Sequence, residues 1–257
     1  MNPRIALNTA IVTGMLFVAG LSTASAKSPT FVAAPPVALA APGDVLPLNA
    51  RLFGKTYGAW TVAYWQWAMS IPFENNPWAN DSTGEFAGVG QSGRVWFLGG
   101  TLGNSATRDF TMPAGKHIFM PVHQWLFGAT IFDCEPSVPG VVCDVPTLRA
   151  AAAAAADGAI NMEVVIDGDP VSHPDSFRVV SPSSFSVTLP EDSVVNVVGG
   201  IDLDAGTYAP HVSDGYYLML HPLSVGPHVI TVHAENPGFG IVYDITYNIT
   251  VVAHSVH

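Results

Sequence analysis

The strongest constraint on the fold of this chain is a strict alternation of apolar and polar side chains in residues 241–252, IVYDITYNITVV. Every second position is apolar: Ile241, Tyr243, Ile245, Tyr247, Ile249 and Val251. Side chains two positions apart share one face of a β-strand, so the segment predicts a strand with one buried and one solvent-facing side. Shorter segments between turn residues predict further strands: RVWFLGG, TRDFTM, HIFMPVHQW, NMEVVIDG, FRVVSP, FSVTLP, VVNVV, YYLML and HVITVHA. Together they predict a mainly β protein, an antiparallel β-sandwich.

One aromatic segment departs from this pattern and predicts a helix. We expect it over residues 57–70, capped by Thr56 and stopped by Pro72. Large side chains recur along it at alternating spacings of three and four and define one buried face: Tyr57, Trp60, Tyr64, Trp67 and Ile71. Trp65 falls outside this face, and we expect it to be an exposed contact residue.

A second helix, also short, is predicted within residues 144–158. Pro146 falls in its first turn and Gly158 follows its last residue, which are the places these residues prefer. Its interior is an unbroken run of alanine. We therefore expect this helix to pack closely and to carry no chemistry.

Residues 1–26 predict a secretory signal peptide. Arg4 precedes an apolar run, and the sequence ASA at residues 24–26 supplies a small-residue cleavage site. A retained membrane anchor is the alternative, but polar residues interrupt the run, and a span needs roughly 20 predominantly apolar residues. Residues 27–46 are rich in proline and alanine and predict a tether, followed by a single domain over residues 47–257. We expect a secreted or periplasmic protein that does not span a membrane after signal cleavage.

The charge balance restricts the kinds of partner. The sequence holds 9 Lys and Arg against 20 Asp and Glu, a formal net charge of −11. Binding nucleic acid requires a basic surface that neutralises phosphates, so we expect no nucleic-acid partner. An acidic protein favours a cation or a neutral polymer over an anionic ligand.

The sequence contains two cysteines, Cys134 and Cys143. In an exported protein this spacing predicts a short-loop disulfide. A metal site is the alternative, but two thiols fall short of the four ligands that structural zinc sites use.

Carboxylates and a histidine are candidates for catalysis. Residues 72–93 are rich in Gly, Pro, Asn and Asp, which indicates a loop, and long loops inside compact domains are often functional. The candidates are Glu74, Asp81 and Glu85 in this loop, and His211 and Asp214 near a predicted strand start. Paired carboxylates would suit glycoside hydrolysis, in which their separation in space sets the mechanism. Solvated loop acids are the alternative.

Two histidines are candidate metal ligands. The segment YYLMLHPLSVGPHVITVHA predicts a β-hairpin with a loop from Pro222 to Pro227, which would set His221 and His228 opposite each other. Opposite side chains have Cβ atoms roughly 5 Å apart, within reach of one transition-metal ion. No third ligand is identifiable, so a pair of loop-flanking polar residues is the alternative. The acidic turns IDGDP and IDLDAG offer a loose calcium site, although the second lacks EF-hand spacing.

Four segments are similar to recurrent segments of a group of secreted bacterial proteins. They are FGKTYGAWTVAYWQWAMSIP, GQSGRVWFLGGT, TMPAGKHIFMPV and DGYYLMLHPLSVGPHVITV. The resemblance spans most of the chain after residue 26. That group has no established activity, so the resemblance implies a secreted protein and transfers no function.

The leading functional hypothesis is a non-catalytic binding module. Phe73 and Trp78 offer apolar ring faces beside polar groups, which is how many neutral ligands are held. We expect the loop from Phe73 to Glu85, with Trp65 as a further contact, to bind a neutral carbohydrate or another envelope component. One alternative is a hydrolase or lyase acting on an extracellular polymer, and another is a structural envelope protein.

Overall fold

The computed structural model describes residues 44–128 and 144–253, and the elements named here belong to these ranges. The helices are α1 (Tyr57–Met69), α2 (Val145–Asp157) and α3 (Val194–Gly199). The strands are β1 (Val95–Phe97), β2 (Ala106–Pro113), β3 (His117–Gly128), β4 (Ile160–Ile166), β5 (Asp169–Pro170), β6 (Arg178–Val180), β7 (Phe185–Leu189), β8 (Gly206–Leu220), β9 (Gly226–Asn236) and β10 (Ile241–Val252). Short 3₁₀ turns lie at Phe73–Asn75, Pro174–Ser176 and Pro237–Phe239.

The strands form two sheets that pack on each other. The first sheet has the order β1-β3-β8-β6, with β7 also paired to β8, and the second has the order β2-β10-β9-β4-β5. The pairs β1 with β3 and β2 with β10 are parallel, and the other pairs are antiparallel. The predicted mainly β sandwich is thus confirmed. Parallel neighbours are a departure from a purely antiparallel sandwich, and they need connections longer than a hairpin turn.

Apolar side chains from both sheets meet in the core. In β10 the side chains of Tyr243, Ile245 and Tyr247 are buried, whereas Val242 and Asp244 are exposed. The alternation predicted for this segment is therefore confirmed. Each fully buried large apolar side chain contributes roughly 1.5–3 kcal/mol, so the inner faces hold the sheets together.

Helix α1 begins after Thr56, whose hydroxyl oxygen accepts a hydrogen bond from a first-turn backbone N–H at 3.2 Å. The predicted helix is confirmed, but the expectation for Trp65 is wrong, because its side chain is 2% exposed. Its indole N–H donates to Ser213 Oγ at 2.9 Å and lies 3.0 Å from the Tyr217 hydroxyl. On the side of Trp65 the helix is covered by the following loop, whose Trp78 ring lies 5.1 Å from Trp65. A helix buried on more than one side has no single apolar face.

Helix α2 occupies the predicted alanine-rich segment. Asp144 Oδ1 accepts from Thr147 N at 2.8 Å and caps its start. The strand predicted at VVNVV is wrong, since these residues form α3. Ser193 Oγ accepts from Asn196 N at 3.2 Å, and this cap starts a helix where β-branched residues alone favour a strand.

The predicted hairpin between β8 and β9 is wrong, because the two strands belong to different sheets. Strand β8 pairs with β3, β6 and β7, whereas β9 pairs with β4 and β10. The connection of residues 221–225 therefore crosses from one sheet to the other, as does the connection of residues 114–116 between β2 and β3. Two apolar runs joined by a short turn-rich loop have the same local pattern in both arrangements.

Three sequence predictions fall outside the described residues. They are the signal peptide over residues 1–26, most of the tether over residues 27–46, and the disulfide between Cys134 and Cys143. Within the described ranges, no helix is long and apolar enough to cross a membrane.

The end of the predicted tether is part of the domain. Val45 forms an isolated antiparallel bridge with Leu220, and Leu46 N donates to Met219 O at 2.7 Å. Leu46 is also buried. The domain therefore includes residues before the predicted boundary at residue 47.

Candidate functional site

A cavity of about 200 Å³ lies where α1, β3, β10 and two loops meet. Trp65 comes from α1, Trp78 from the loop after it, His123 and Trp125 from β3, and Tyr243 from β10. The loop after β1 completes the wall. We call this space the aromatic pocket. An engineered cavity of about 150 Å³ holds benzene, so the aromatic pocket has room for one ring with small substituents.

The rings around the aromatic pocket hold one another in place. Trp65 and Trp78 meet edge to face, with ring centroids 5.1 Å apart. His123 lies 5.6 Å from Trp125 and is nearly parallel to Tyr243 at 6.4 Å. Aromatic pairs in these geometries are favourable beyond the area that they bury. Contacts between these rings therefore hold the walls of the aromatic pocket in place.

Three buried ring nitrogens around the aromatic pocket have no hydrogen-bond partner among the residues that the structure describes: Trp78 Nε1, His123 Nδ1 and Trp125 Nε1. Buried polar groups are nearly always hydrogen-bonded, and an unpaired one costs about 1–3 kcal/mol. Gln124 adds a side-chain amide to the same wall. These three side chains line one cavity, which makes it the candidate site for a ligand with polar atoms.

The aromatic pocket carries no formal charge at neutral pH. Burial lowers the pKa of His123 to about 4, so its imidazole is neutral. Burial also raises the pKa of Tyr243 well above its usual value, so the phenol keeps its proton. The other lining side chains are not ionisable in this range. A charged ligand would lose its hydration here without meeting an opposite charge, so the pocket suits a neutral one.

Backbone features of the surrounding strands give the aromatic pocket its shape. The pairing of β3 with β8 shifts register directly after Pro121, because proline cannot donate to the ladder. A Cβ at Gly100 would lie 2.7 Å from Gln124 Nε2, and one at Gly99 would lie 2.1 Å from Pro77 O. Only glycine fits at these two positions without displacing the wall.

A second cavity, of about 130 Å³, adjoins the aromatic pocket. The two cavities share Trp78 and Thr101 as lining residues. We call the second cavity the polar chamber, because the rest of its lining is mostly amide, hydroxyl and charged side chains: Asn80, Asp81, Ser82, Asn104 and Arg108.

The two charged side chains of the polar chamber are bound by the protein itself. Arg108 is 2% exposed, and its Nε donates to Asp81 O at 2.7 Å. Its two Nη groups donate to Gly99 O and Gly100 O. The Asp81 carboxylate accepts from three backbone N–H groups, the shortest bond being 2.6 Å from Gly84 N. Arg108 thus fixes the walls of both cavities, and it and Asp81 carry opposite charges.

The structure separates the predicted residues of the long loop. Trp78 lines both cavities, whereas Phe73, Glu74 and Glu85 line neither. Glu74 and Glu85 are exposed, while the buried carboxylate of Asp81 is occupied by backbone groups. The three acids therefore lie in different surroundings, two exposed and one buried and held by backbone groups.

His211 and Asp214 are also separated. Both lie within β8 rather than at its start, three positions apart in uninterrupted pairing with β3, so their side chains point to opposite faces. The Asp214 carboxylate accepts from Arg178 Nε and Nη2, each at 3.0 Å. Burial lowers the pKa of His211 to about 4. These residues belong to the packing of β8.

His221 and His228 have different partners. The His221 ring lies 5.7 Å from that of His117. His228 Nδ1 is 2.6 Å from Asp167 Oδ2, and its Nε2 is 2.9 Å from Ser224 O and 3.2 Å from Ser224 Oγ. The order Ser, His, Asp resembles a nucleophile-activating triad. The backbone carbonyl of Ser224 lies nearer to Nε2 than the hydroxyl does, and a carbonyl oxygen can only accept a hydrogen bond. These contacts fasten the crossing between the sheets.

No cluster of three or more His, Cys, Asp and Glu side chains in residues 44–128 and 144–253 could hold a metal ion. The predicted calcium turn IDGDP connects β4 to β5, with positive φ at Asp167 and Gly168. Its Asp167 carboxylate is used by His228 and by Val229 N. The turn therefore has a structural role.

Sequence reasoning missed His123, Gln124 and Trp125, which form most of the polar wall of the aromatic pocket. One signal was available in the sequence. Pro121 interrupts an apolar strand, and proline inside a strand is confined to edges and bulges. Bulges are over-represented next to active sites, where they redirect side chains.

No protein-family model and no curated protein matches this chain. Among solved structures, the cysteine protease inhibitor EhICP2 from Entamoeba histolytica is 13% identical, with 58% of this chain and 88% of that chain covered and a TM-score of 0.19. A structure of PbICP-C in complex with falcipain-2 is 11% identical, with 62% and 100% covered and a TM-score of 0.23. Scores this low support no inference about this chain.

Proposed function

We propose that this protein is a secreted, non-catalytic module that binds a neutral carbohydrate, or another neutral envelope component, at the aromatic pocket and the adjoining polar chamber. The observation that carries the proposal is the set of three buried nitrogens, on Trp78, His123 and Trp125, around an uncharged cavity walled by rings. Ligand oxygens would satisfy these nitrogens, and apolar ligand surface would cover the ring faces. Of the binding residues predicted in the long loop, the proposal keeps Trp78. Residues of β3 take the place of Phe73.

The surroundings of the acids and histidines favour binding over catalysis. Glu74 and Glu85 lie outside the lining of both cavities, and Asp81 is occupied by backbone N–H groups. The neutral imidazole of His123 is the one titratable group with an unpaired nitrogen in the lining of the aromatic pocket. A hydrolase or lyase acting on an extracellular polymer needs an acid and base pair, which neither cavity presents.

Isothermal titration calorimetry tests the proposal, with the protein lacking residues 1–26 and soluble fragments of β-glucan, xylan and mannan. The variant Trp78→Phe keeps an aromatic face and removes the indole N–H. Trp60→Phe is the matched control, because its indole N–H donates to Leu52 O at 3.2 Å and it lines neither cavity.

We expect Trp78→Phe to weaken binding about 5- to 10-fold, since one hydrogen bond is lost, and Trp60→Phe to leave it unchanged. Equal affinities for the unaltered protein and the two variants would refute the placement of the ligand. Absence of binding to every neutral fragment would refute the proposed function for carbohydrates.

A further inference from the structure

We infer that the ligand is a neutral amphiphilic glycoside, with an apolar ring or short alkyl group in the aromatic pocket and its sugar in the polar chamber. This inference rests on the proposed function and narrows it to one class of ligand. The argument starts from the contrast between two adjoining cavities. One is walled mainly by apolar side chains and the other mainly by polar ones.

The aromatic pocket suits an apolar group better than a whole sugar. Besides the rings, Leu102, Ile241 and Ile245 line it. A sugar carries hydroxyls around its ring, and those that face aliphatic walls would lose hydration without a partner. A volume of about 200 Å³ accepts a phenyl ring bearing one acceptor atom. Such an acceptor can accept a hydrogen bond from the Trp125 indole N–H of the β3 wall.

Two exposed apolar side chains lie at the aromatic pocket. Leu102, which lines it, is 42% exposed, and Phe239 is 55% exposed. The Phe239 ring lies 4.4 Å from that of Trp125, which lines the pocket. Large apolar side chains exposed next to a cavity mark a surface that receives an apolar ligand.

The polar chamber suits the sugar. Ser82 and Asn104 offer a hydroxyl and an amide, groups that both donate to and accept from sugar hydroxyls. The charges of Asp81 and Arg108 are opposite and are already bound by backbone groups. An additional ionic group on the ligand would have no free counter-charge there, so the sugar is neutral.

The two parts of the ligand meet at Trp78 and Thr101, the residues common to both cavities. Trp78 Nε1 is buried and unpaired in the part of the chain that the structure describes. An oxygen that joins sugar and apolar group would lie at this junction and can accept the indole proton. Trp78 thus contacts both parts of the ligand.

The test compares phenyl with methyl β-D-glucopyranoside, and phenyl with methyl β-D-galactopyranoside, by calorimetry with the protein lacking residues 1–26. Within each pair the sugar is the same, so the affinity ratio isolates the apolar group. We expect the phenyl glycoside to bind at least about tenfold more tightly than its methyl partner for at least one sugar, because a phenyl ring becomes buried.

Two variants assign each part of the ligand to its cavity. Leu102→Ser removes apolar lining from the aromatic pocket and should lower the phenyl-to-methyl ratio about threefold. Asn104→Ala should weaken both glycosides by the same factor, about fivefold, because the sugar loses a hydrogen bond. Val225→Ser changes a side chain that is 62% exposed and outside both linings, so it should alter neither affinity.

A phenyl-to-methyl ratio near one, or a ratio that Leu102→Ser leaves unchanged, overturns this inference. Failure of all four glycosides also overturns it. If a neutral polysaccharide fragment nevertheless binds and Trp78→Phe weakens that binding, the proposed function stands without the amphiphilic ligand. If no neutral ligand binds in a Trp78-dependent way, both are refuted.

Discussion

Acidification is expected to destabilise this fold through two buried histidines. Burial lowers the pKa of both His123 and His211 to about 4, against about 6.5 in an unfolded chain. Between these two values the unfolded state binds more protons than the folded state does. Stability falls with decreasing pH under that condition. The histidine contribution is therefore fully present above about pH 6.5 and is lost as the pH falls towards about 4.

The size of the effect follows from the two pKa values. Between pH 7 and pH 5, each histidine lowers the free energy of unfolding by about 2 kcal/mol. Together they account for about 4 kcal/mol. Typical domains are stable by about 5–15 kcal/mol, so the change is large enough to move a urea midpoint substantially.

The assay is urea unfolding at pH 7 and pH 5, followed by tryptophan fluorescence. His123→Phe keeps a ring next to Tyr243 but cannot take up a proton. The stability that this variant loses between pH 7 and pH 5 should therefore be about 2 kcal/mol smaller than the loss of the unaltered protein. His233→Asn is the control with the opposite sign. Hydrogen bonding to Asp244, and more weakly to Glu235, raises the pKa of His233. His233 therefore stabilises the fold increasingly as the pH falls. Its removal should increase the stability that is lost between pH 7 and pH 5.

Two results would refute this reasoning. One is an equal loss of stability between pH 7 and pH 5 in His123→Phe and in the unaltered protein. The other is an unaltered protein whose free energy of unfolding is the same at both pH values. The first result would mean that the His123 imidazole is solvated or paired, and the aromatic pocket would then not be an uncharged site. The second would mean that the two buried histidines do not control the acid stability of the fold.

Three further substitutions test the packing around the site, each through the free energy of unfolding in urea. Gly99→Ala places a Cβ 2.1 Å from a carbonyl oxygen and should cost about 2–4 kcal/mol of stability. The control Gly88→Ala enters open space and should change stability by less than about 0.5 kcal/mol. Equal effects of the two substitutions would contradict the close contact at Gly99. Trp65→Phe removes a buried donor and should cost about 1–3 kcal/mol, and an unchanged midpoint would contradict its hydrogen bonding. Asp214→Asn should cost about 2 kcal/mol, less than a fully buried ion pair, because the Arg178 side chain is 33% exposed. Stability within about 0.5 kcal/mol of the unaltered protein would show that this pair is not needed.

Elements with a local side-chain pattern could be predicted from the sequence. In β10 one face meets the core and the other meets solvent, so a period of two identifies the strand. Large apolar side chains at alternating spacings of three and four residues likewise identify α1. The same rule misjudged Trp65, because it assumes solvent on the far side of a helix, whereas the loop that carries Trp78 covers that side.

The aromatic pocket could not be predicted in this way. Its walls come from α1, β3, β10 and the loop after β1, which meet only because the chain crosses between the sheets. A local pattern predicts a strand but not the sheet that the strand joins. Two features were readable nonetheless: a ring at Trp78 in a long loop, and a proline at Pro121 inside a strand.

The sheet-crossing connections also determine when the site can form during folding. In the second sheet β2 pairs with β10, and Asp109 and Asn248, which lie 139 positions apart, are hydrogen-bonded across that pair. Contacts between such distant segments require closure of long loops and make folding slow. Strand β10 also supplies Tyr243 to the aromatic pocket. A partly folded chain that lacks this strand pairing therefore has no pocket, and ligand binding reports completion of the whole fold.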